Sequence, residues 1–319
     1  MQLTFYHLFL NDYTNIIFKL KKGNHLIHLI AVLSMLLWGL SYIWTKIVFK
    51  YYQPLTTVFL RLVLSSIILL LFIHIFRSPR KIQKQHFKLF AYSALFNPFL
   101  YFIGESFGLS LVSSTMSAVI ISTIPLFTPL AAYFSFKEKI SPINLIGIFI
   151  SFFGILLMVF NRELQFNENP LGILILFGAV AAAVIYGILL QKLAIHYSSL
   201  TIIAYQNAIG VIYFLPFFLF FEFDQFIQVK PNLELISSLL LLAVFASSIA
   251  FILYTSVVRK IGITKGNIYT NLIPGFTAVF AYFILAEEFP FSKILGMIVV
   301  ILGVILSQIN RLTTKTKTK

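Results

Sequence analysis

Long apolar runs, broken by short polar stretches, set the rhythm of this chain. A helix that crosses a bilayer needs about 20 mostly apolar residues. Ten runs approach that length: α1 at 27–49, α2 at 54–76, α3 at 88–108, α4 at 113–136, α5 at 143–160, α6 at 170–190, α7 at 199–220, α8 at 235–257, α9 at 266–286 and α10 at 291–308. The longest polar connections are RSPRKIQKQHF at 77–87, NRELQFNEN at 161–169 and FEFDQFIQVKPNLE at 221–234. The pattern predicts an all-α polytopic membrane protein with ten transmembrane helices and no extramembrane domain. Function then belongs inside the membrane or at its faces. Residues 1–26 read as a cytoplasmic N-terminal extension and 309–319 as a basic cytoplasmic tail. The first twenty residues hold Asp12 and no small-residue cleavage site after a clean apolar core, unlike a signal peptide; a misassigned start codon is the other reading.

The polar connections also predict an orientation. With the N-terminus inside, eighteen Lys and Arg residues fall on the cytoplasmic side and five on the other, with Arg61 inside α2. Cytoplasmic loops carry the excess of Lys and Arg in membrane proteins. Both termini are therefore expected in the cytoplasm, at the plasma or inner membrane.

The apolar pattern repeats. IPLFTPLAAYFSFKE at 124–138 returns as IPGFTAVFAYFILAE at 273–287, a shift of 149 residues. Over 124–157 the shift gives 11 identities, including Pro125/Pro274, Thr128/Thr277, Glu138/Glu287, Gly147/Gly296 and Gly154/Gly303. Pro, Thr, Glu and Gly matches are not a product of generic greasiness. Two repeats, 27–160 and 170–308, joined by a linker at 161–169, hold five predicted helices each. An odd number of crossings turns the second copy upside down. The chain is thus read as two inverted five-helix repeats. Such repeats are common in secondary transporters, which bind substrate near the midplane between the halves.

Composition sharpens this reading. The chain of 319 residues is 59% hydrophobic and 11% charged, with a mean hydropathy of +0.94. Soluble domains carry about 25% charged residues. The net charge of +14 does not point to nucleic acid, because the basic residues sit in short connections, where they meet anionic lipid. The absence of cysteine removes disulfides, thiolate metal sites and a Cys nucleophile. The histidines are dispersed without an H-E-x-x-H pair, so no metal site and no cofactor are expected. A Walker A sequence is absent. A membrane enzyme acting on lipid, or a non-transporting assembly or sensor protein, remains as the alternative. Either would have to manage with ten acidic residues and one adjacent pair, Glu287-Glu288.

Candidate residues stand out against the apolar background. Arg61 lies about 10 Å inside α2, by helix rise, where an isolated charge costs on the order of 3 kcal/mol. It faces a partner or water, or it snorkels. Glu105 in α3 and Lys46 in α1 have similar depth, and the three are expected to form an outer cluster. Glu105 is the candidate for proton coupling; a structural ion pair is the competing reading. Asn97, ahead of Pro98, either binds substrate or satisfies a backbone carbonyl. Asn267 and Asn271 share a face of α9, and Ser122 matches Asn271 at the 149 shift. They face the cavity or glue helices together. Trp38, Tyr42 and Tyr186 offer aromatic walls, and Gln206 is the loose counterpart of Arg61. Pro125 and Pro274 are the expected hinges. Glu138 and Glu287 end their helices where a carboxylate is disfavoured; cations or the amides that begin α5 and α10 are expected to serve them. Glycines seven apart in α5 and α10 form a smooth stripe for close packing, or for a homodimer.

These residues carry a family resemblance. WGLSYIWTK at 38–46 with Arg61, YFIGESFGLSLVSSTMSAVIISTIPLFTPL at 101–130, FKEKISPINLIGIFISFFGILLM at 136–158, ITKGNIYTNLIPGFTAVFAYFILAEEF at 263–289 and ILGMIVVILGVIL at 294–306 resemble two EamA domains of the drug/metabolite transporter superfamily. The resemblance spans about 27–309. It implies a ten-helix carrier, often an exporter of amino acids or other small metabolites. It also implies a central cavity lined by α1–α4 and α6–α9, with small molecules and membrane lipids as partners.

Overall fold

The computed structural model describes residues 24–75, 82–128, 142–160 and 166–313. Among them the chain is helical, and the only strand-like pairing is an isolated bridge between Phe160 and Phe166. Among the described residues, seven helices are long and apolar enough to cross a membrane: Leu26–Val48 (α1), Pro54–Ile75 (α2), Pro142–Val159 (α5), Pro170–His196 (α6), Ser199–Gln228 (α7), Leu233–Ile261 (α8) and Lys265–Leu285 (α9). Ser114–Thr128 (α4) and Phe291–Ser307 (within α10) are shorter apolar helices. The α3 run is divided into Phe87–Ala94 and Tyr101–Leu111. Asn97 between them is extended (φ −148°, ψ 120°), because a following proline disfavours the helical conformation.

Helix ends follow the sequence. Asn169 caps α6 by accepting from the Leu171 and Gly172 amides, with Pro170 beginning the helix. Ser198 caps α7 through the Thr201 amide. Two helices begin on a carboxylate from elsewhere. Buried Glu222 accepts from the Leu55 amide at 3.1 Å and the Thr56 amide at 2.6 Å, at the start of α2. Glu287 does the same for α4.

Helix breaks coincide with the repeated Ile-Pro. The first piece of α4, Ser114–Ile121, stops at a turn over Ser122 and Thr123, and the helix resumes just ahead of Pro125. In α9 a 3-10 stretch, Ile268–Leu272, precedes Ile273–Leu285, and Pro274 sits in the first turn of that second piece. Both prolines thus begin a helical piece instead of interrupting one. Ser122 and Thr123 donate to the Val119 and Ile120 carbonyls at 2.7 and 2.6 Å, and Thr128 to the Ile124 carbonyl at 3.1 Å. Carbonyls loosened by the break are so satisfied without water. Thr277 instead reaches across to the Gly39 carbonyl of α1 at 3.3 Å. Pro129 and Glu138 lie outside the described residues.

Packing between helices obeys the repeat. The pairs in contact include α2 with α7, α4 with α9 and α5 with α10, each a helix against its own copy. The pairs α3–α6 and α1–α8 exchange when the two halves are exchanged, as do α1–α9 and α4–α6. The same holds at residue level. A Cβ on Gly147 would meet the Gly303 carbonyl at 2.5 Å, and one on Gly154 would meet the Gly296 carbonyl at 2.7 Å. Under the 149 shift each of these contacts becomes the other. Ser151 donates to the Val300 carbonyl at 3.1 Å, and Asn144 to the Ser307 carbonyl. The glycine stripe is consumed inside the chain by close helix packing, which removes it as a surface for a second copy.

Candidate functional site

Where α1, α2, α3, α4, α6, α8 and α9 converge, a cavity of about 60 Å³ remains. Six of the nine residues singled out from sequence line it: Trp38, Tyr42, Arg61, Asn97, Glu105 and Tyr186. Tyr101, Phe102, Phe251, Tyr254 and Asn267 complete the polar and aromatic wall. Trp38 packs on Phe251 and Tyr254 with ring centroids 4.9 and 5.0 Å apart. Tyr254 donates to the Asn267 side chain, and Asn267 to Thr128 at 3.3 Å. A midplane tryptophan is thus part of an aromatic wall and not an interfacial anchor.

The two charges in this wall are held separately. Arg61, 2% exposed, donates through Nε to Ser247 Oγ at 2.8 Å and lays its guanidinium 4.4 Å from the Phe102 ring centre. Behind Ser247, Asn207 bonds the Ser247 carbonyl at 3.0 Å and Ser65 at 2.8 Å, and Ser65 bonds Ser248 at 2.7 Å. Ser247 and Ser248 lie in the wide-turn stretch Leu242–Ala250 of α8, a geometry frequent at functional sites. Glu105 accepts from Tyr101 at 2.7 Å. Arg61 and Glu105 face one cavity without forming an ion pair.

Three sequence candidates fall outside the lining. Gln206 sits one layer back, accepting from Tyr186 at 3.3 Å and donating to Ser93 at 2.6 Å. Ser122 is spent on its own helix. Asn271 is buried with neither end of its amide bonded; its neighbour one turn back, Asn267, is the one that reaches the cavity.

Lys46 corrects the expected outer cluster. It stands one turn beyond Tyr42 on α1, about 6 Å further along the axis, which takes it out of the Arg61–Glu105 layer. Its Nζ donates to the Val112 carbonyl at 2.7 Å, in electrostatic reach of Glu287 and Glu168. Together they line a separate, open vestibule of about 490 Å³. Lys293 lies 3.6 Å from Glu287 and 4.0 Å from Glu168. Glu287 accepts from the Ser114 amide at 2.7 Å and Thr115 Oγ1 at 2.8 Å. The amides it serves begin α4, not α5 or α10. The reason is local: left-handed Ala286 (φ 52°) ends α9, and the Glu287 amide folds back to the Ala281 carbonyl. That turn carries the carboxylate over to α4. Burial raises the Glu287 pKa, but Lys293, Thr115 and Ser114 outweigh it and hold the carboxyl below the usual range.

On the opposite face, Tyr197 accepts from the Gln83 amide at 3.0 Å and bonds His86 at 2.8 Å, while His86 stacks on His196 at 4.7 Å. Sequence reasoning missed Glu168, Glu222, Asn207, Ser247 and Lys293. An acid within the aromatic tract FFLFFEFDQF was the available signal for Glu222; the serines had none, since helical membrane serines are common.

Comparison with known proteins agrees with this architecture. The EamA-like transporter family matches residues 25–160 and again 170–308. An uncharacterized transporter of Archaeoglobus fulgidus is 29% identical over 286 residues, covering 88% of this chain and 96% of the relative. YetK of Bacillus subtilis, also named an uncharacterized transporter, is 28% identical over 258 residues, with 79% and 77% covered. One protein of known crystal structure superimposes with a TM-score of 0.66 over 89% of this chain and 98% of its own, at 14% identity, which speaks to the fold alone. With both halves matched and the match broken only at the linker, the chain belongs to the EamA-like transporter family.

Proposed function

We propose that the protein is a secondary-active permease that moves amino acids or other small metabolites out across the bacterial plasma membrane by alternating access. In this reading ten helices cross the bilayer, both termini are cytoplasmic, and the two repeats rock about the cavity between them. The observation that carries it is the pair Arg61 and Glu105: opposite charges lining one cavity between the repeats, Arg61 buried and Glu105 half-buried, and not bonded to each other. A buried charge without a full partner is costly. A zwitterion satisfies both at once, carboxylate toward Arg61 and ammonium toward Glu105, with its side chain against Trp38, Phe251 and Tyr254. Glu105 is also the group placed to take a proton when the site is empty, which couples transport to the proton gradient.

A cavity of about 60 Å³ has room for a few waters and is too small for a metabolite. Substrate binding requires its walls to part. The breaks beside Pro125 and Pro274 are where α4 and α9 bend. The test is a flux panel in cells or vesicles: labelled amino acids and toxic analogues, with and without a proton gradient. Faster efflux than in an Arg61→Ala, Glu105→Gln control supports the reading. Identical retention across a broad panel refutes it.

A further inference from the structure

The wall that must part is gripped by charged groups at one end. Helix α4 begins with four backbone amides that its own turns leave free. Each has a partner. The Ser113 amide donates to Glu168 at 3.0 Å, the Ser114 amide to Glu287 at 2.7 Å and the Thr115 amide to Glu287 at 3.4 Å; the Met116 amide donates to Ser113 Oγ at 3.2 Å. Both carboxylates come from other segments: Glu168 from the linker between repeats, Glu287 from the α9–α10 turn. Lys293, which donates to Ser113 Oγ at 3.2 Å, lies within 4.0 Å of both. At its other end the piece Ser114–Ile121 runs into the turn at Ser122 and Thr123, which is closed by short backbone bonds from the Thr123 amide to the Ile120 carbonyl at 3.0 Å and from the Leu126 amide to the Thr123 carbonyl at 2.8 Å. Ile121 lines the central cavity, and Ser113 lines the vestibule beyond it.

The repeats are therefore joined across the mouth of the vestibule through charged groups grasping one short helical piece. We infer that Glu168, Glu287 and Lys293 form a latch that holds the outer piece of α4 closed over the cavity, and that the cavity opens to this face when the latch releases. The latch rests on the alternating-access reading above and adds the part that moves and the groups that hold it. Charge-assisted bonds to helix amides suit a latch because they are strong while dry and exchangeable for water once the vestibule floods. The counterpart piece of α9 begins at Ile263 behind Gly262, so the residues matching Ser113 and Ser114 bring no hydroxyl there, and the two faces are held by different chemistry.

The chain has no cysteine, which permits a test independent of any substrate. A single Ser41→Cys places a reporter thiol on the cavity wall. Its alkylation by a membrane-impermeant maleimide is followed in vesicles of both orientations, and exposed Lys230→Cys identifies the face that bears Glu287. Glu168→Gln with Glu287→Gln is expected to speed labelling from that face about tenfold, as a shifted two-state equilibrium requires, and to slow labelling from the other face. Faster labelling from both faces means unfolding, and an unchanged rate means no latch; each overturns the inference. Lys293→Arg, which keeps the charge but replaces a point ammonium with a forked guanidinium suited to two carboxylates, is expected to slow labelling from the Glu287 face several-fold; an equal or faster rate overturns it too. Failure of the flux panel with these labelling shifts intact would sink the permease reading and leave the latch standing.

Discussion

Arg61 and Glu105 make a double-mutant cycle informative. Glu105→Gln keeps an acceptor for the Tyr101 hydroxyl but deletes the charge that compensates a guanidinium only 2% exposed. Breaking one side of a buried charge pair costs about 3–5 kcal/mol. Because these two groups are beyond ion-pair distance, the lower end, about 3 kcal/mol, applies to Glu105→Gln. Arg61→Met loses the Ser247 hydrogen bond and the cation–π contact on Phe102. With the stranded carboxylate this also sums to about 3 kcal/mol. In the double variant neither charge is stranded. Its cost is expected near about 3 kcal/mol instead of about 6, a coupling of about 2–3 kcal/mol. Coulomb's law bounds this: two unit charges 4 Å apart at an effective dielectric of 20 interact by about 4 kcal/mol. The assay is thermal unfolding of the four purified proteins in one detergent, followed by loss of the monodisperse peak. Single-variant costs that add within about 0.5 kcal/mol would show that the two charges do not sense each other across the cavity. Transport is expected to fail in all three variants, which separates the stability question from the functional one.

Further outcomes follow from particular contacts. Glu222→Ala strands the Leu55 and Thr56 amides at the start of α2 and is expected to cost about 2–4 kcal/mol, read by the same unfolding assay. Gly147→Ala, facing the Gly303 carbonyl, should destabilise by more than about 2 kcal/mol, whereas Gly178→Ala, with nothing within 4 Å, should be neutral or stabilising by up to about 1 kcal/mol. Ala286→Gly relieves a left-handed alanine and should raise stability by about 1 kcal/mol. For Glu287 the folded pKa lies below the unfolded one. Its contribution is complete above the ordinary glutamate value of about 4.3 and is lost as pH falls through the folded value. Glu287→Gln should therefore flatten the acid side of a stability-versus-pH curve and leave its slope near neutrality unchanged.

What sequence can and cannot show divides on physical lines. Apolar runs and the 149-residue shift are properties of the chain itself, so the helices, their breaks at Ile-Pro and the glycine stripes of α5 and α10 are legible, whereas the pairing of those two stripes with each other is not. Arg61 and Glu105 are legible because a charge in an apolar run has few tolerable surroundings. Lys46 is misplaced from sequence because depth along a helix is readable only to within a turn, and one turn separates the cavity from the vestibule. Glu287 is recognisable as needing a partner, but sequence points to partners close by along the chain. One of these, the cation Lys293, is there at 3.6 Å; the other partner, the start of α4, is reached only through the left-handed turn at Ala286. Ser247 and Asn207 are invisible, since their roles depend on which face of α7 and α8 meets Arg61.

Three helix pairs, α2–α7, α4–α9 and α5–α10, join an element to its own duplicate. A surface that recognises its own copy in an inverted, two-fold arrangement is complementary to itself. One five-helix unit, inserted in both directions, would already own each of these seams, and fusing two such units adds no new interface. What fusion adds is the freedom for the copies to diverge. The chain has used that freedom at the mouths, with carboxylates on one face and a tyrosine beside two stacked histidines on the other, while the glycine seam stayed alike.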